Sequence, residues 1–358
     1  MNIFIDTERL RDPHSGLGQF CQLLGQELVR QQPPGAGLTF LVPAGHTEAF
    51  GQGVSYQQAG WWRRLWKPNH FDVWHCTHQD SVYLPHSGQN DKSKLILTIH
   101  DLNFLERPDY DEARKAQRLA FLQQKISQAA ALTTISEYTA SVVRQQFTLP
   151  DVPLRVIYNG TPLITSTEPP ESSLTAALAE GPFFLFVGAI HPKKNLHTLL
   201  PLLEAFPDWK LVLAGVDQHP YAAHLRDQAS QLDLSERLEM PGAVSEATKQ
   251  WLYQQCGALL FPSLSEGFGL PVVEAMHFGK PVFLSRLTSL PEIGGKDAYY
   301  FNSFEPEDMA ETIYDGLSDF AANPFRAARL RQRAAQFSWE EAARAYWALY
   351  SEIGLPHT

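Results

Sequence analysis

Two glutamates stand in the pattern Glu-x7-Glu within Ser265-Glu266-Gly267-Phe268-Gly269-Leu270-Pro271-Val272-Val273-Glu274-Ala275-Met276. The apolar run Gly257–Phe261 before it has the length and composition of a buried strand. Gly267 and Gly269 permit close approach of a ligand to the backbone, and Pro271 suits a first helical turn. A helix is therefore expected from Leu270 to Gly279. Strand, glycine loop and helix N-terminus together can receive an anion, because unpaired amides and the positive end of the helix dipole point the same way. Glu274, one turn into the helix, can accept hydroxyls of a ribose or sugar. The plainer alternative is a strand-to-helix turn carrying two solvated glutamates.

Three further groups have residue types suited to chemistry. Lys193 and Lys194 follow the strand Phe183–Gly188 and precede an apolar run, Leu196–Leu203, expected to be a helix capped by Asn195. Cations at a helix N-terminus add to an anion site rather than to helix stability. His100 and Asp101 end the strand Leu95–Ile99, where an open α/β sheet places its ligand crevice; a histidine there can bond a sugar hydroxyl or share a proton. Gly16 and Gly18 lie in a turn-rich loop, with a helix expected from Gln19. Asp109-Tyr110-Asp111 has the form of a metal-binding Asp-x-Asp beside Pro108, but its place at a helix start argues against metal.

Strands and helices alternate along both halves of the 358 residues, predicting two doubly wound parallel-sheet Rossmann-like domains facing across a cleft. The stretch Thr165–Ser173 has linker composition. The expected division is an N-terminal domain over 1–164, a C-terminal domain over 174–335 and a last helix over 336–358, opened by Ser338-Trp339-Glu340-Glu341 as a capping box and packing back on the N-terminal domain.

Composition narrows the partners. With 44% hydrophobic and 19% charged residues, and no apolar run long enough to span a bilayer, the chain reads as a globular soluble protein. Its first residues read as a strand rather than a leader. Cys21, Cys76 and Cys256 lack paired metal spacing and read as reduced and buried, pointing to the cytoplasm. A formal charge of −10 argues against nucleic acid. The patch Trp61–Lys67 mixes tryptophans with cations, which suits either peripheral contact with an inner membrane surface or a partly buried connecting helix.

Taken in order, Ile99-His100-Asp101-Leu102, Val156-Ile157-Tyr158-Asn159-Gly160, Val187-Gly188 with Pro192-Lys193-Lys194-Asn195-Leu196, the Glu266-to-Glu274 run, Leu290-Pro291-Glu292-Ile293-Gly294-Gly295 and Phe337-Ser338-Trp339-Glu340 resemble segments of the retaining glycosyltransferases of family four. That family has the two-domain GT-B fold, and the resemblance implies that the N-terminal domain, 1–164, binds the acceptor and the C-terminal domain, 174–335, the nucleotide-sugar donor. The resemblance is to members that build bacterial surface polysaccharides, mannosyltransferases among them. It implies a metal-independent hexose transfer from a GDP-sugar or UDP-sugar, GDP-mannose for preference, to a glycan or lipid-linked acceptor, with no other cofactor.

Carried over residue by residue, the resemblance implies that Glu266, His100 and Lys194 are catalytic. Lys194, helped by Lys193, would neutralise the diphosphate. The amides of Phe268, Gly269 and Leu270 would bind phosphate or sugar oxygens, Glu274 the ribose and Val244 the base. Gly16 to Gly18 would close the cleft. Ala189 departs from the family, many members of which have arginine there, leaving the two lysines with more of the phosphate charge. Other enzymes on the same scaffold, a nucleotide-sugar epimerase or a phosphorylase, and a noncatalytic sugar-binding protein, remain alternatives.

Overall fold

The computed structural model describes residues 1–13, 15–61, 71–85, 93–106, 110–161, 173–178 and 181–354. Asp109, most of the Trp61–Lys67 patch and most of the Thr165–Ser173 linker lie outside them; Trp61 itself is exposed. The chain divides into two compact units, Met1–Gly160 with Ser338–Thr358, and Thr161–Phe337.

In the first unit, β1 (Asn2–Asp6), α1 (Gly16–Arg30), β2 (Gly37–Val42), β3 (Ser55–Gln58), β4 (Val73–Cys76), β5 (Lys94–Ile99), α2 (Glu112–Ile126), β6 (Ala131–Thr134), α3 (Glu137–Gln146) and β7 (Leu154–Val156) follow in order. The strands form a parallel sheet in the order β3-β2-β1-β4-β5-β6-β7. Every residue of β4 and β6 is buried, the pattern of a parallel sheet covered on both faces. The order reverses between β1 and β4, so their carboxyl ends frame a crevice.

In the second unit, α4 (Ser173–Ala177), β8 (Phe183–Val187), β9 (Lys210–Ala214), α5 (Tyr221–Gln231), β10 (Leu238–Gly242), α6 (Glu246–Gln255), β11 (Ala258–Phe261), α7 (Leu270–His277), β12 (Val282–Ser285), α8 (Leu290–Gly294), β13 (Tyr299–Phe301), α9 (Pro306–Ala322) and α10 (Arg326–Ala334) build a second parallel sheet, ordered β10-β9-β8-β11-β12-β13. Its reversal lies between β8 and β11, so the loops leaving those two strands are neighbours.

The last helix, α11 (Trp339–Gly354), belongs to the first unit, packed on α1 and β4. A buried polar chain fastens it. His75 on β4 bonds the Tyr350 hydroxyl through Nδ1 (2.7 Å) and Thr98 on β5 through Nε2 (2.8 Å), and Thr98 continues to Thr133 and Tyr346. The Trp347 indole donates to the Leu28 carbonyl at 3.1 Å. The Ser338 hydroxyl accepts the Glu341 amide at 3.2 Å, but the Glu341 carboxylate pairs with Arg344, so this part of the capping box is one-sided.

Several local expectations are corrected. Helix α1 begins at Gly16, not Gln19, because the Ser15 hydroxyl accepts the Gly18 amide (3.0 Å) and caps it. Gly16 and Gly18 are thus first-turn residues, not loop residues. A β-carbon on Gly18 would lie 2.0 Å from the Asp12 carbonyl oxygen, which accounts for that glycine on packing grounds. Strand β7 covers Leu154–Val156, so most of the Val156–Gly160 segment follows the strand rather than forming it. Leu196–Leu203 is not one helix but two short 3-10 turns, Leu196–Leu199 and Pro201–Glu204, since Pro201 cannot continue the helical bonding. Asp111 caps α2 by accepting the Arg114 amide at 2.7 Å.

Burial pushes the His75 pKa down to about 3 and that of His100 to about 4, and also holds His78 well below its usual range. Between pH 6.5 and 4 the unfolded chain takes up protons that these histidines refuse, so stability falls as pH falls. Asp6, raised to about 6 by burial, acts in the opposite sense over pH 3.8–6 but is one group against three. Urea unfolding between pH 7 and 5 should therefore show a loss of roughly 1–3 kcal/mol per pH unit below pH 6.5. A flat profile would show that these histidines titrate freely.

Candidate functional site

The second unit's site is assembled by the loops leaving β8 and β11. After β8 the chain makes a 3-10 turn over Pro192–Lys194, with His191 Nδ1 accepting the Lys193 amide at 3.3 Å. The lysines therefore sit in a turn of their own rather than at the start of a following helix. Asn195 then takes a left-handed conformation (φ 59°) and makes no side-chain cap. The Lys193 carbonyl accepts the Leu264 amide at 2.8 Å, tying this turn to the β11 loop. That bond brings Lys194 and Glu266 together: the ammonium donates to Glu266 Oε1 in a buried ion pair, with the Phe261 ring 5.3 Å from the nitrogen.

Glu266 is held on its other side by residues from the end of β12. Its amide donates to the Thr288 hydroxyl (3.1 Å), and the buried Ser289 hydroxyl reaches the carbonyls of Glu266 (3.0 Å) and Phe268 (2.9 Å). Thr288 has φ 55°, a left-handed conformation that is an outlier for a β-branched residue. Such strain persists only where surrounding contacts over-determine it, here to hold the site loop.

Gly269, at φ 107°, precedes α7 without a capping side chain; a β-carbon there would both strain the backbone and approach Leu290 at 3.0 Å. The first helical amides that bond back are those of Val272 and Val273, to the Gly269 carbonyl. Phe268 is buried at the entrance of the helix and Leu270 begins it. Two buried polar groups of the same loops, Asn195 Nδ2 and Ser263 Oγ, have no partner among the described residues. Buried donors need acceptors, so a ligand with oxygen atoms fits these loops.

Glu274 lies apart from the Lys194–Glu266 pair in its bonding. Lys249 of α6 donates to its Oε1 at 2.8 Å and the Tyr253 hydroxyl to its Oε2 at 2.7 Å. Burial opposes the Lys249 ammonium, yet Glu274 and Glu246 together keep its pKa above the ordinary lysine value. The Tyr253 phenol is pushed well up by burial and by Glu274. A small cavity beside them is lined by Thr161, Gln250 and His277. Val244 follows β10, one residue ahead of the Ser245 cap of α6, and is half-buried.

In the first unit, His100 is buried at the end of β5. Its Nε2 donates to the Thr77 carbonyl at 2.8 Å, and its ring meets Phe20 edge-on at 4.6 Å. With Nε2 protonated and its pKa lowered, the ring is neutral at pH 7 and Nδ1 is its acceptor. It can receive a hydroxyl's hydrogen bond but does not carry a proton to share. Asp6, at the end of β1, was missed by sequence reasoning. Ser81 donates to its Oδ2 and the Glu8 amide to its Oδ1, at 3.0 Å. Lys249, Tyr253, Thr288 and Ser289 were also missed. Only Thr288-Ser289, just ahead of the Leu290–Gly295 segment, carried a sequence signal.

Two family models match, "Glycosyl transferases group 1" over residues 174–337 and "Glycosyltransferase Family 4" over residues 37–163. The chain belongs to this glycosyltransferase family. It is 28% identical over 283 residues to O-antigen chain mannosyltransferase B of Escherichia coli, covering 74% of this chain and 70% of that one. It is 30% identical over 171 residues to a GDP-mannose:cellobiosyl-diphosphopolyprenol alpha-mannosyltransferase of Komagataeibacter xylinus, covering 46% of this chain and 43% of the relative. Among solved structures it is similar to a sucrose-phosphate synthase of Thermosynechococcus elongatus, with a TM-score of 0.76, 19% identity and 99% of each chain covered. The fold is therefore GT-B, with two Rossmann-like domains.

Removing one member of a buried ion pair strands the other. Lys249→Met should destabilise the glycosyltransferase by about 3–5 kcal/mol in urea unfolding, and Lys249→Met with Glu274→Leu should recover much of that loss. A single variant as stable as the wild type would show that Glu274 does not depend on Lys249.

Proposed function

We propose that this glycosyltransferase moves a hexose, mannose from GDP-mannose by preference, onto a glycan or lipid-linked acceptor in polysaccharide biosynthesis, with retention at the anomeric carbon. The observation that carries the proposal is the buried Lys194–Glu266 pair, fixed where the β8 and β11 loops meet. The mannose and polysaccharide preference is supported by the O-antigen mannosyltransferase relative and the GDP-mannose-dependent one.

In the transfer, the bond between the sugar's anomeric carbon and the β-phosphate oxygen breaks, and its electron pair leaves on the phosphate. The acceptor hydroxyl oxygen forms the new bond from the same face, and its proton goes to the departing phosphate oxygen. Lys194 meets the growing negative charge. An ammonium has three donors, so it can keep Glu266 while bonding an oxyanion. Lys193, the Phe268, Gly269 and Leu270 amides and the α7 dipole add to the same field, and the unpartnered Asn195 amide fits a phosphate oxygen. Glu266 acts by position and charge on the sugar carbon rather than as a nucleophile, unlike the carboxylate of a retaining hydrolase. The leaving charge is met by lysine and amides without calling on a metal.

Glu274 is assigned the ribose hydroxyls. Its two oxygens each accept one bond from the protein and retain a second lone pair. Val244 is assigned the base, and His100 accepts a sugar hydroxyl through Nδ1.

Lys194→Ala should lower kcat by roughly tenfold to a thousandfold, the range for losing one charge-stabilising donor, with release of nucleoside diphosphate as the assay. Unchanged turnover would remove the phosphate assignment. Glu274→Gln should chiefly weaken nucleotide binding, measured as a smaller rise in melting temperature with GDP or UDP. An equal rise for variant and wild type would remove the ribose role.

A further inference from the structure

The direction of His100 is set by a turn that none of the assignments above uses. The chain turns over His78–Ser81 as it leaves β4, closed by the Ser81 amide on the His78 carbonyl at 3.2 Å. This segment holds the histidine twice. The Thr77 carbonyl, just ahead of the turn, accepts His100 Nε2 at 2.8 Å. The Gln79 side chain clasps the end of β5: its Oε1 accepts the His100 amide and its Nε2 donates to the Asp101 carbonyl, both at 3.0 Å. With the backbone fixed by Gln79 and Nε2 fixed by Thr77, the direction of Nδ1 follows.

A buried cation grips the turn. Lys125 of α2 is 1% exposed, and its ammonium donates to the carbonyls of Gln79 and Ser81, both at 2.6 Å, with the Phe121 ring centre 4.2 Å away. Among the described residues it forms no ion pair with a carboxylate. Burial holds its pKa below the ordinary lysine value, as desolvation of an ammonium must. What this costly cation does is fix two carbonyls. We propose that Lys125 is a positioning residue for sugar transfer, which fixes the Gln79–Ser81 turn, and through Gln79 the direction of His100 Nδ1, without touching substrate. The proposal rests on the assignment of His100 to a sugar hydroxyl.

The other anchors of the turn leave this task to Lys125. The Ser81 hydroxyl donates to the Asp6 carboxylate and the Thr77 hydroxyl to the Asp6 carbonyl, so β1 holds the two ends of the segment. The tip, Gln79 and Asp80, is held by Lys125 and by the part-exposed Asp80–Arg118 pair, and a pair in contact with water contributes little. Without the ammonium the two carbonyls lose their donor and must turn to water, and the Gln79 side chain moves with its own carbonyl. Small movements suffice, since misplacing a reacting group by about 1 Å can cost on the order of a hundredfold in rate.

Two variants of the full-length protein separate the links. Lys125→Met keeps an apolar stem and removes the donors. Gln79→Ala leaves both Lys125 bonds, which go to main-chain carbonyls, and cuts only the clasp on β5. Turnover is read as GDP or UDP released from GDP-mannose and UDP-glucose, and the ring by nitrogen NMR of histidine-labelled protein, with the His100 signals identified by their loss in His100→Gln. Each variant should lower kcat by about tenfold to a hundredfold and move the His100 ring signals at pH 7. The double variant should lose no more than the larger single loss, because the two changes cut one chain of contacts. The rise in melting temperature with GDP or UDP should match the wild type, which puts the loss in transfer rather than in donor binding.

Wild-type turnover in Gln79→Ala, losses that add in the double variant, or a slow Lys125→Met protein with an unchanged His100 spectrum would each overturn the proposal. Should Lys125→Met not fold, Lys125→Gln keeps an amide donor and should show a smaller loss and a smaller ring shift; wild-type values there overturn the proposal equally. Failure of the underlying assignment reads differently: His100→Ala then turns over like the wild type, while Lys125→Met still moves the ring signals.

Discussion

The second unit depends on keeping two opposite charges, Lys194 and Glu266, out of water and in contact. Desolvating either alone would cost several kcal/mol, and their attraction offsets that only when geometry is fixed in advance. The fold supplies the geometry. Strands β8 and β11 are neighbours at the reversal of strand order, so their exit loops must run side by side. The backbone bond from Leu264 to the Lys193 carbonyl sets one loop against the other. Thr288 and Ser289 hold the Glu266 segment from the opposite side, at the expense of a strained Thr288. Charge stabilisation prepared this way needs no reorganisation when a leaving group ionises.

The second glutamate of the Glu-x7-Glu pattern is held by different means. Glu274 projects from a regular helix, and α6 brings Lys249 and Tyr253 to it. With Glu246 also on Lys249, at 3.0 Å, this is a small network in which an ammonium lies between two carboxylates. Such a network keeps Glu274 a fixed acceptor, whereas Glu266 is paired with Lys194. One motif thus contains two buried carboxylates with different partners, Glu266 on Lys194 and Glu274 on Lys249 and Tyr253, separated by the glycine that turns the chain into the helix.

Much of this is legible in the amino-acid sequence. The glycine loop, the strand ahead of it and the helix after it follow from local chemistry, because Gly269 and Pro271 dictate backbone angles whatever surrounds them. The alternation of strands and helices gave the two parallel sheets. Where the reading went astray, short-range competition decided. Ser15 captured the Gly18 amide and started α1 early, and Pro201 broke a run whose apolar pattern alone looked helical. The partners of Glu274 were invisible for another reason: Lys249 and Tyr253 are ordinary surface-helix residues in sequence, and only the packing of α6 beside α7 makes them ligands of a buried carboxylate. Long-range hydrogen bonds of that kind leave no local pattern to find.

The two units handle charge in opposite ways, and this bears on how a transferase divides its work. At the carboxyl ends of the second sheet, ionised side chains are buried in pairs beside a helix N-terminus, a setting that rewards an anionic ligand. At the carboxyl ends of the first sheet, burial favours neutrality. His75 and His100 are uncharged at pH 7, Asp6 is drawn toward its protonated form with a pKa near 6, and Arg118 is matched by Asp80. His100 Nδ1, on a neutral ring whose Nε2 is engaged by the Thr77 carbonyl, is a neutral acceptor there. Keeping the first unit's histidines desolvated therefore has a structural consequence: the neutral His75 ring holds Tyr350 and Thr98, the neutral His100 ring holds the Thr77 carbonyl, and the acid sensitivity of the fold is the physical counterpart of that neutrality.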